Sequence, residues 1–572
     1  MQSIDRYTIQ ELKLPSMVLM ERAALAVAKE VEERAEKGER ILCACGCGNN
    51  GADGVAVARL LVLAGHQAQV VYVGDPEKGS QEFRQQAAIA EKLGITVTPY
   101  PAWEKKAFDI LVDGIFGVGL SRPVGGVYGQ FMEDLEKAGP RLTVAVDVPS
   151  GIRSDDGQVL GKALQADVTV TFGWEKLGTV LYPGRAYAGT VVVADIGFPE
   201  MAFAEAERCW TGAQKPGDPG GRQPGALVAG REPDASAVGR QPGISTAGWQ
   251  PETSAAGRQP GTSAAGQQFA AWAGEPPPER HTVCAFTCEP GDLGMRRPLR
   301  PAYSNKGTFG RVLLVAGSRN MCGAAYLSAL AAYRTGAGLV KILTVEENRE
   351  ALQAGLPEAI LETYPSQVRP EEMEGYQEML REDCGWADVV VLGPGLGQAP
   401  YAKALVEMVL AQVCSPLIVD ADALNILAAD PNLTGYFTEN IIITPHLGEM
   451  ARLTGKTIEE IQKDLIGTAR EYGARYGITC VLKDAATVAA LRDGRVYVNT
   501  SGNSAMAKAG SGDVLTGVLA GLLAQGVEEM DGVALAVYLH GAAGDRYREE
   551  HGPYGMLAGE LADYVGKVLA HG

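Results

Sequence analysis

Lys508-Ala509-Gly510-Ser511-Gly512-Asp513, continuing as Val514-Leu515-Thr516-Gly517-Val518-Leu519-Ala520-Gly521-Leu522-Leu523, joins a loop of small residues directly to an apolar helical pattern. The first amides of such a helix have no partner within it and lie at the positive end of its dipole, which makes a ready site for an anion such as phosphate. Asp513 stands where loop becomes helix. A carboxylate there can take a proton from a substrate hydroxyl, help to hold a metal ion, or simply cap a buried helix.

The residues upstream repeat one arrangement. Strand patterns at 311–316, 339–343, 388–392, 416–419, 440–443 and 479–482 alternate with helical segments, among them a small-residue helix over 323–336 whose alanines suit close packing on a sheet. This alternation predicts an α/β unit over the C-terminal half. Unusual residues follow its strands: Gly393-Pro394-Gly395-Leu396-Gly397, Asp420-Ala421-Asp422-Ala423-Leu424-Asn425, Thr444-Pro445-His446-Leu447-Gly448-Glu449 and Lys483-Asp484-Ala485-Ala486-Thr487, then Asn499-Thr500-Ser501-Gly502-Asn503. A crevice lined by amides, Lys483, Thr487 and carboxylates suits an adenine nucleotide with its metal. His446 is read as functional at its glycine-rich strand end, against the plainer reading of a satisfied loop histidine.

The first 200 residues alternate in the same way. A helix is expected over 16–37, with Ser16 as N-cap and Val18, Leu19, Ala23, Val27 and Val31 on one face. Strands are expected at 41–45, 69–73, 109–112, 143–146, 167–172 and 190–194, forming a largely parallel sheet covered on both faces. Ligands of such sheets bind beyond the C-terminal strand ends. Those ends carry Gly46-Cys47-Gly48-Asn49-Asn50-Gly51-Ala52-Asp53-Gly54, Asp113 before Gly114-Ile115-Phe116-Gly117-Val118-Gly119-Leu120-Ser121-Arg122-Pro123, and Asp147-Val148-Pro149-Ser150-Gly151. Asn50, Asp113, Asp147 and Ser150 thus converge at one rim, as donors to a hard cation or as acid/base groups beside a polar substrate. Helix capping and Asx turns are the structural explanation for any one of them.

At 572 residues the chain predicts more than one domain, and 46% hydrophobic with 21% charged residues describe an ordinary globular protein. A net charge of −18 argues against nucleic-acid and anionic-membrane partners, which need a basic surface. Neither an uncharged apolar run of about 18 residues nor a signal-peptide pattern occurs, so a cytoplasmic location is expected. Cys43, Cys45 and Cys47 alternate on a predicted strand without a second Cys/His cluster, which reads as buried thiols rather than a zinc site. Between the halves, Gly212, Gly221, Gly230, Gly239, Gly248, Gly257 and Gly266 recur with a period of nine, with Gly-Arg-Gln-Pro at 221, 239 and 257. Calcium-binding nonapeptide solenoids share that period, but these repeats lack their consistent Asp and aliphatic positions. Rich in Gly and Pro and poor in apolar area, residues 212–280 are expected to be a disordered linker between domains at 1–211 and 281–572.

The ordered motifs also carry a resemblance. The run Leu19-Met20-Glu21-Arg22-Ala23, the GNNGADG loop, VDGIFGVGLSRP over 112–123, DVPSG over 147–151 and ADVTVTFGWEKLG over 166–178 resemble the NAD(P)H-hydrate epimerase domain, which has a Rossmann-like fold. The resemblance implies that Asn49, Asn50, Gly51, Ala52, Asp53, Gly117, Val118, Gly119, Leu120, Ser121, Arg122, Pro123, Tyr128 and Asp147 contact the hydrate. It also implies Asp147 as a catalytic residue, and Asn50, Asp113 and Ser150 as ligands of potassium. Ala52 stands where the family loop usually has glycine; a positive φ there would cost the alanine about 1 kcal/mol.

Likewise GPGLG, DADALN, TPHLGEM, KDAAT and NTSGNSAMAKAGSGDVLTG resemble the ADP- or ATP-dependent NAD(P)H-hydrate dehydratases of the ribokinase-like superfamily. This implies nucleotide binding by Lys483, Asp484, Ala485, Ala486, Thr487, Asn503, Gly510, Ser511 and Gly512. Ala324, Gly395, Gly397 and His446 are then expected to face the hydrate, with Asp513 as catalytic base and magnesium accompanying ADP or ATP. Asp484 replaces a common glycine, setting a carboxylate near phosphates, and Asn305 replaces a histidine. The partners expected are hydrated NAD(P)H and an adenine nucleotide, with a homo-oligomeric assembly. Two alternatives stand beside this reading: a small-alcohol kinase on the same C-terminal fold, and an N-terminal unit that binds without catalysis.

Overall fold

The computed structural model describes residues 2–203, 285–288, 297–367, 372 and 375–571. Seven parallel strands build the first sheet: β1 Arg40–Gly46, β2 Gln67–Val73, β3 Val97–Pro99, β4 Ile110–Gly114, β5 Leu142–Val146, β6 Val168–Phe172 and β7 Thr190–Ala194. Their order, β3-β2-β1-β4-β5-β6-β7, reverses direction between β1 and β4. The doubly wound α/β class expected from the sequence is therefore present, with its ligand crevice above the C-terminal ends of those two strands.

The second sheet runs β11-β10-β9-β12-β13-β14-β15-β16-β17-β8. Its members are β8 Ala285–Phe286, β9 Arg311–Val315, β10 Leu339–Val345, β11 Ile360–Tyr364, β12 Val389–Leu392, β13 Leu417–Val419, β14 Ile441–Ile443, β15 Thr479–Leu482, β16 Val488–Ala490 and β17 Val496–Val498. From β11 to β15 neighbours are parallel, whereas β15–β16 and β16–β17 are antiparallel. A second reversal point falls between β9 and β12. Every strand expected in each half is found within a few residues, and β3, β8, β11, β16 and β17 are additions.

Local details correct the sequence reading. The helix Ser16–Arg34 has Pro15, not Ser16, at its N-cap, and the Ser16 hydroxyl instead donates to Glu82 Oε1 at 2.9 Å. Leu19, Ala23, Val27 and Val31 are buried, but Val18 is exposed. The GNNGADG stretch is mostly helix, since Asn49–Leu63 begins inside it. Ala52 is a buried helical residue outside the positive-φ positions, so the expected strain does not arise. Gly51 is the position with no room for a side chain, because a Cβ there would meet the Gly46 carbonyl oxygen at 1.7 Å.

In the C-terminal half the alanine-rich helix Cys322–Thr335 packs on the helix Ser511–Ala524 as well as on the sheet. Small residues permit the approach: a Cβ on Gly517 would meet Ser328 O at 2.2 Å, and one on Gly521 would meet Ala332 O at 2.8 Å. Val514, Val518 and Leu522 enter the same core as Val312, Leu314, Val391, Ile418 and Ile442 of the sheet. This burial fixes where the N-terminus of Ser511–Ala524 points. The two sheets belong to one compact unit, and Arg185 Nη2 donates to Thr500 O at 2.7 Å within it. The repeat stretch and its expected disorder lie outside the described residues. Among the described residues no helix is long and apolar enough to cross a membrane.

Candidate functional sites

Gly510, at φ +92°, is the N-cap of Ser511–Ala524, so Asp513 is the third residue of the helix and not its cap. The plain capping explanation for Asp513 therefore fails. Its carbonyl accepts from Ser328 Oγ at 3.0 Å, which fixes its backbone, and its carboxyl faces a charged network. Lys483 Nζ lies 2.7 Å from Asp420 Oδ1, and Thr516 Oγ1 donates to Asp420 Oδ2, also at 2.7 Å. A Cβ on Gly512 would lie 3.4 Å from Lys483 Nζ, so the ammonium sits beside the first helical turn. Burial, with Asp420 adding repulsion and Lys483 opposing it, pushes Asp513 up to about 6. Burial lowers Lys483, but Asp420, Glu449 and Asp513 outweigh it and hold the ammonium above its ordinary value.

His446 serves partly as a cap. Its Nδ1 accepts from Gly448 N at 2.9 Å and opens the helix Leu447–Thr454, while Glu449 Oε2 accepts from His446 N at 2.8 Å. Nδ1 as acceptor leaves the proton on Nε2, 3.4 Å from Glu449 Oε1. Burial and the Lys483 and Arg452 charges lower His446, and burial raises Glu449 to about 7, so both shifts weaken ion pairing at this contact. Gly395 packs on Ala324, where an added Cβ would come within 2.9 Å of the alanine's own. Gly397 N donates to Asp422 Oδ2 at 2.9 Å. Asn503 is held by Asp545, whose Oδ1 accepts from its amide at 2.8 Å. Thr487 Oγ1 donates to Asp484 O, and burial raises the Asp484 carboxyl. Asn305 is exposed and caps the short helix Lys306–Phe309.

At the first sheet's reversal point a cavity of about 810 Å³ opens. Asn49, Asn50, Asp53, Gly117, Val118, Gly119, Leu120, Tyr128 and Asp147 line it, as expected. Gly51 and Ala52 are buried away from it; Ser121, Arg122 and Pro123 are exposed and do not reach its wall. Asp113 and Ser150 stand behind the wall, fully buried, with Ser150 Oγ donating to Asp113 Oδ1 at 2.6 Å and Ser150 N to Oδ2 at 2.8 Å. Burial lifts Asp113 to about 6 against these hydrogen bonds. The Asn50 amide nitrogen is buried without a partner, and the open α-carbon of Gly117 leaves room for that side chain. Because amide oxygen and nitrogen are interchangeable assignments, turning Asn50 offers an oxygen instead. One carboxylate, one hydroxyl and one amide oxygen fit a monovalent hard cation, and among the described residues no cluster of three His, Cys, Asp or Glu offers a site for a more demanding metal. Cys43, Cys45 and Cys47 are free and buried, as expected.

Asp147 follows β5 at φ +69°, a backbone strain that persists only when its surroundings hold it. Lys176 Nζ lies 2.6 Å from Asp147 Oδ1 and donates to Phe172 O at 2.8 Å; Thr171 Oγ1 donates to the same carboxylate at 3.1 Å. Lys176 and Asp5 both line the cavity, and the sequence reading gave neither a role. Lys176 falls within the ADVTVTFGWEKLG motif, which is its local signal, whereas Asp5 and Asp545 carry none.

The family described as NAD(P)H-hydrate dehydratase matches residues 312–567, and the YjeF-related protein N-terminus matches residues 16–178. The bifunctional NAD(P)H-hydrate repair enzyme Nnr of Moorella thermoacetica is 34% identical over 580 residues, covering 100% of this chain and 95% of its own length. This chain belongs to that family. The Thermofilum pendens member is 32% identical, over 99% of this chain and 94% of its own. A solved ADP/ATP-dependent NAD(P)H-hydrate dehydratase from Bacillus subtilis, co-crystallised with ATP and magnesium, is 34% identical and covers 50% of this chain and 97% of its own, with a TM-score of 0.43.

Proposed function

We propose that the chain repairs hydrated NADH and NADPH in two steps, the first-sheet cavity interconverting the R and S hydrates and the second site returning the S form to NAD(P)H at the expense of ADP or ATP. The observation that carries the second step is the convergence of Asp513, Lys483 and Asp420 at the N-terminus of Ser511–Ala524. Hydroxide is a poor leaving group. A phosphoryl group placed on the hydroxyl makes a good one, and elimination then restores the double bond. Asp513 removes the hydroxyl proton, and the amides of residues 510–512 stabilise charge on the transferring group. Magnesium bound with the nucleotide would supply positive charge to offset that of the phosphates. In the first site Asp147 is the catalytic group, and potassium held by Asn50, Asp113 and Ser150 would supply fixed positive charge beside the cavity.

The domains that carry this reading are residues 1–211 and 281–572, supported by family matches that fall one in each. Homo-oligomeric assembly and a cytoplasmic location go with it, tested by light scattering and by fractionation of cells. An absorbance assay at the NADH band, using racemic hydrate with and without ADP and magnesium, tests the main claim. Nucleotide-dependent recovery of absorbance beyond half of the racemate is expected, because the S form alone supplies only half. A stable phosphate ester without NADH would replace the dehydratase by a kinase. Recovery stopping at half would remove the epimerase step.

A further inference from the structure

Among the charged groups that line the first-sheet cavity, three carboxyls and one buried ammonium share a single electrostatic problem. Asp147 comes from the end of β5, Asp53 from the helix Asn49–Leu63, Asp5 from the helix Gln2–Arg6, and Lys176 from the loop after β6. Lys176 is 6% exposed and Asp147 7%. The ammonium makes its close contact with only one of the three, Asp147 at 2.6 Å. Three ionised carboxylates around one ammonium leave net negative charge, which favours the protonated forms of the two that lack the close contact. Burial first, then the Asp147 charge, raises both Asp53 and Asp5. One ion-paired carboxylate and a protonated partner on the same cavity wall form an acid–base pair whose roles are set by environment.

Hydration of an enamine double bond leaves the hydroxyl on the carbon next to nitrogen. One route to inverting that carbon breaks its C–O bond and re-forms it on the other face. The ring nitrogen's electron pair makes a C=N bond as the hydroxyl leaves, and the departing oxygen needs a proton. Water then adds to the opposite face, loses a proton to a base, and the C=N pair returns to nitrogen.

We propose that Asp53 is the proton donor to the departing hydroxyl, that Asp147 accepts the proton of the adding water, and that Lys176 is the positioning residue that holds the Asp147 side chain through their 2.6 Å contact. The proposal rests on the reading of this cavity as the epimerase site. The proton that Asp53 gives up returns to it by exchange with cavity water, and in the reverse direction the two carboxyls trade roles. The remaining charged groups on the wall, Asp75, Lys78 and Glu82, are absent from the interactions that shift Asp53.

The test follows conversion of pure R hydrate to S by chiral chromatography, with spontaneous conversion subtracted, in full-length chains. Dehydratase activity on pure S hydrate in the same preparations reports folding of the rest of the chain. Asp53→Asn and Lys176→Met are expected to lower epimerase kcat by about 10²-fold or more with KM changed much less. Lys176→Arg, which keeps the positive charge, is expected to recover most of the rate. Wild-type kcat is expected to fall as pH rises and Asp53 ionises, a decline that any residual Lys176→Arg activity shares. Full activity in Asp53→Asn, or equal loss in Lys176→Met and Lys176→Arg, would overturn the proposal while leaving an inactive Asp147→Ala to support the epimerase reading. An active Asp147→Ala would reject both.

Discussion

Asp513→Asn is expected to inactivate the dehydratase and at the same time to stabilise the fold at neutral pH. Burial and Asp420 raise the Asp513 carboxyl from its ordinary 3.8 to about 6. The folded chain therefore holds this proton more tightly than the unfolded chain, and stability falls as pH rises from about 3.8 to about 6. The difference, 6 minus 3.8, is about 2 units, and at about 1.4 kcal/mol per unit the upper limit of the penalty above pH 6 is about 3 kcal/mol. An asparagine carries no such penalty, so a gain of up to about 3 kcal/mol at pH 7.5 is expected, vanishing near pH 4. The assay is denaturant unfolding of both proteins at the two pH values, beside nucleotide-dependent NADH recovery. Wild-type turnover should decline as pH falls through about 6, because the base must be ionised. A variant that is less stable at pH 7.5, or whose stability difference does not change with pH, would refute the burial argument. A variant with wild-type turnover would remove Asp513 from the chemistry.

Three further outcomes follow from the same geometry. Gly510→Ala forces a side chain into φ +92° with Leu327 Cδ1 at 2.6 Å from the new Cβ, so a loss of about 2 kcal/mol and weaker nucleotide binding are expected by calorimetry. Lys483→Met leaves Asp420 buried without its cation and should cost about 3 to 5 kcal/mol in unfolding experiments, whereas Lys483→Met combined with Asp420→Leu should regain much of that while staying inactive. In thiol labelling of the native protein, exposed Cys414 should react well before Cys43, Cys45 and Cys47, whose thiols burial pushes up, Cys47 to about 11; simultaneous labelling would mean that β1 opens locally.

The sequence by itself determined the two parallel sheets, the strand ends that carry chemistry, and the family, because apolar strands alternating with helices and short ordered motifs are local signals. It also located Asp513, Lys483, Asp147 and Asn50. It misjudged Ser16 as a cap, where a proline already supplies the helix entry, and it expected a strained loop at Ala52, where the helix starts earlier. Only the tertiary structure decided which charges meet. Asp420 and Thr516 are 96 positions apart, Lys176 meets Asp147 across two adjacent strand ends, and Asp5 enters the same cavity from the N-terminal helix. Pairing across such separations depends on sheet order and helix packing, which no local pattern encodes. Burial in turn raises the carboxyls of Asp513 and Asp53, and that burial comes from side chains packed behind them which no pattern in the loop itself encodes.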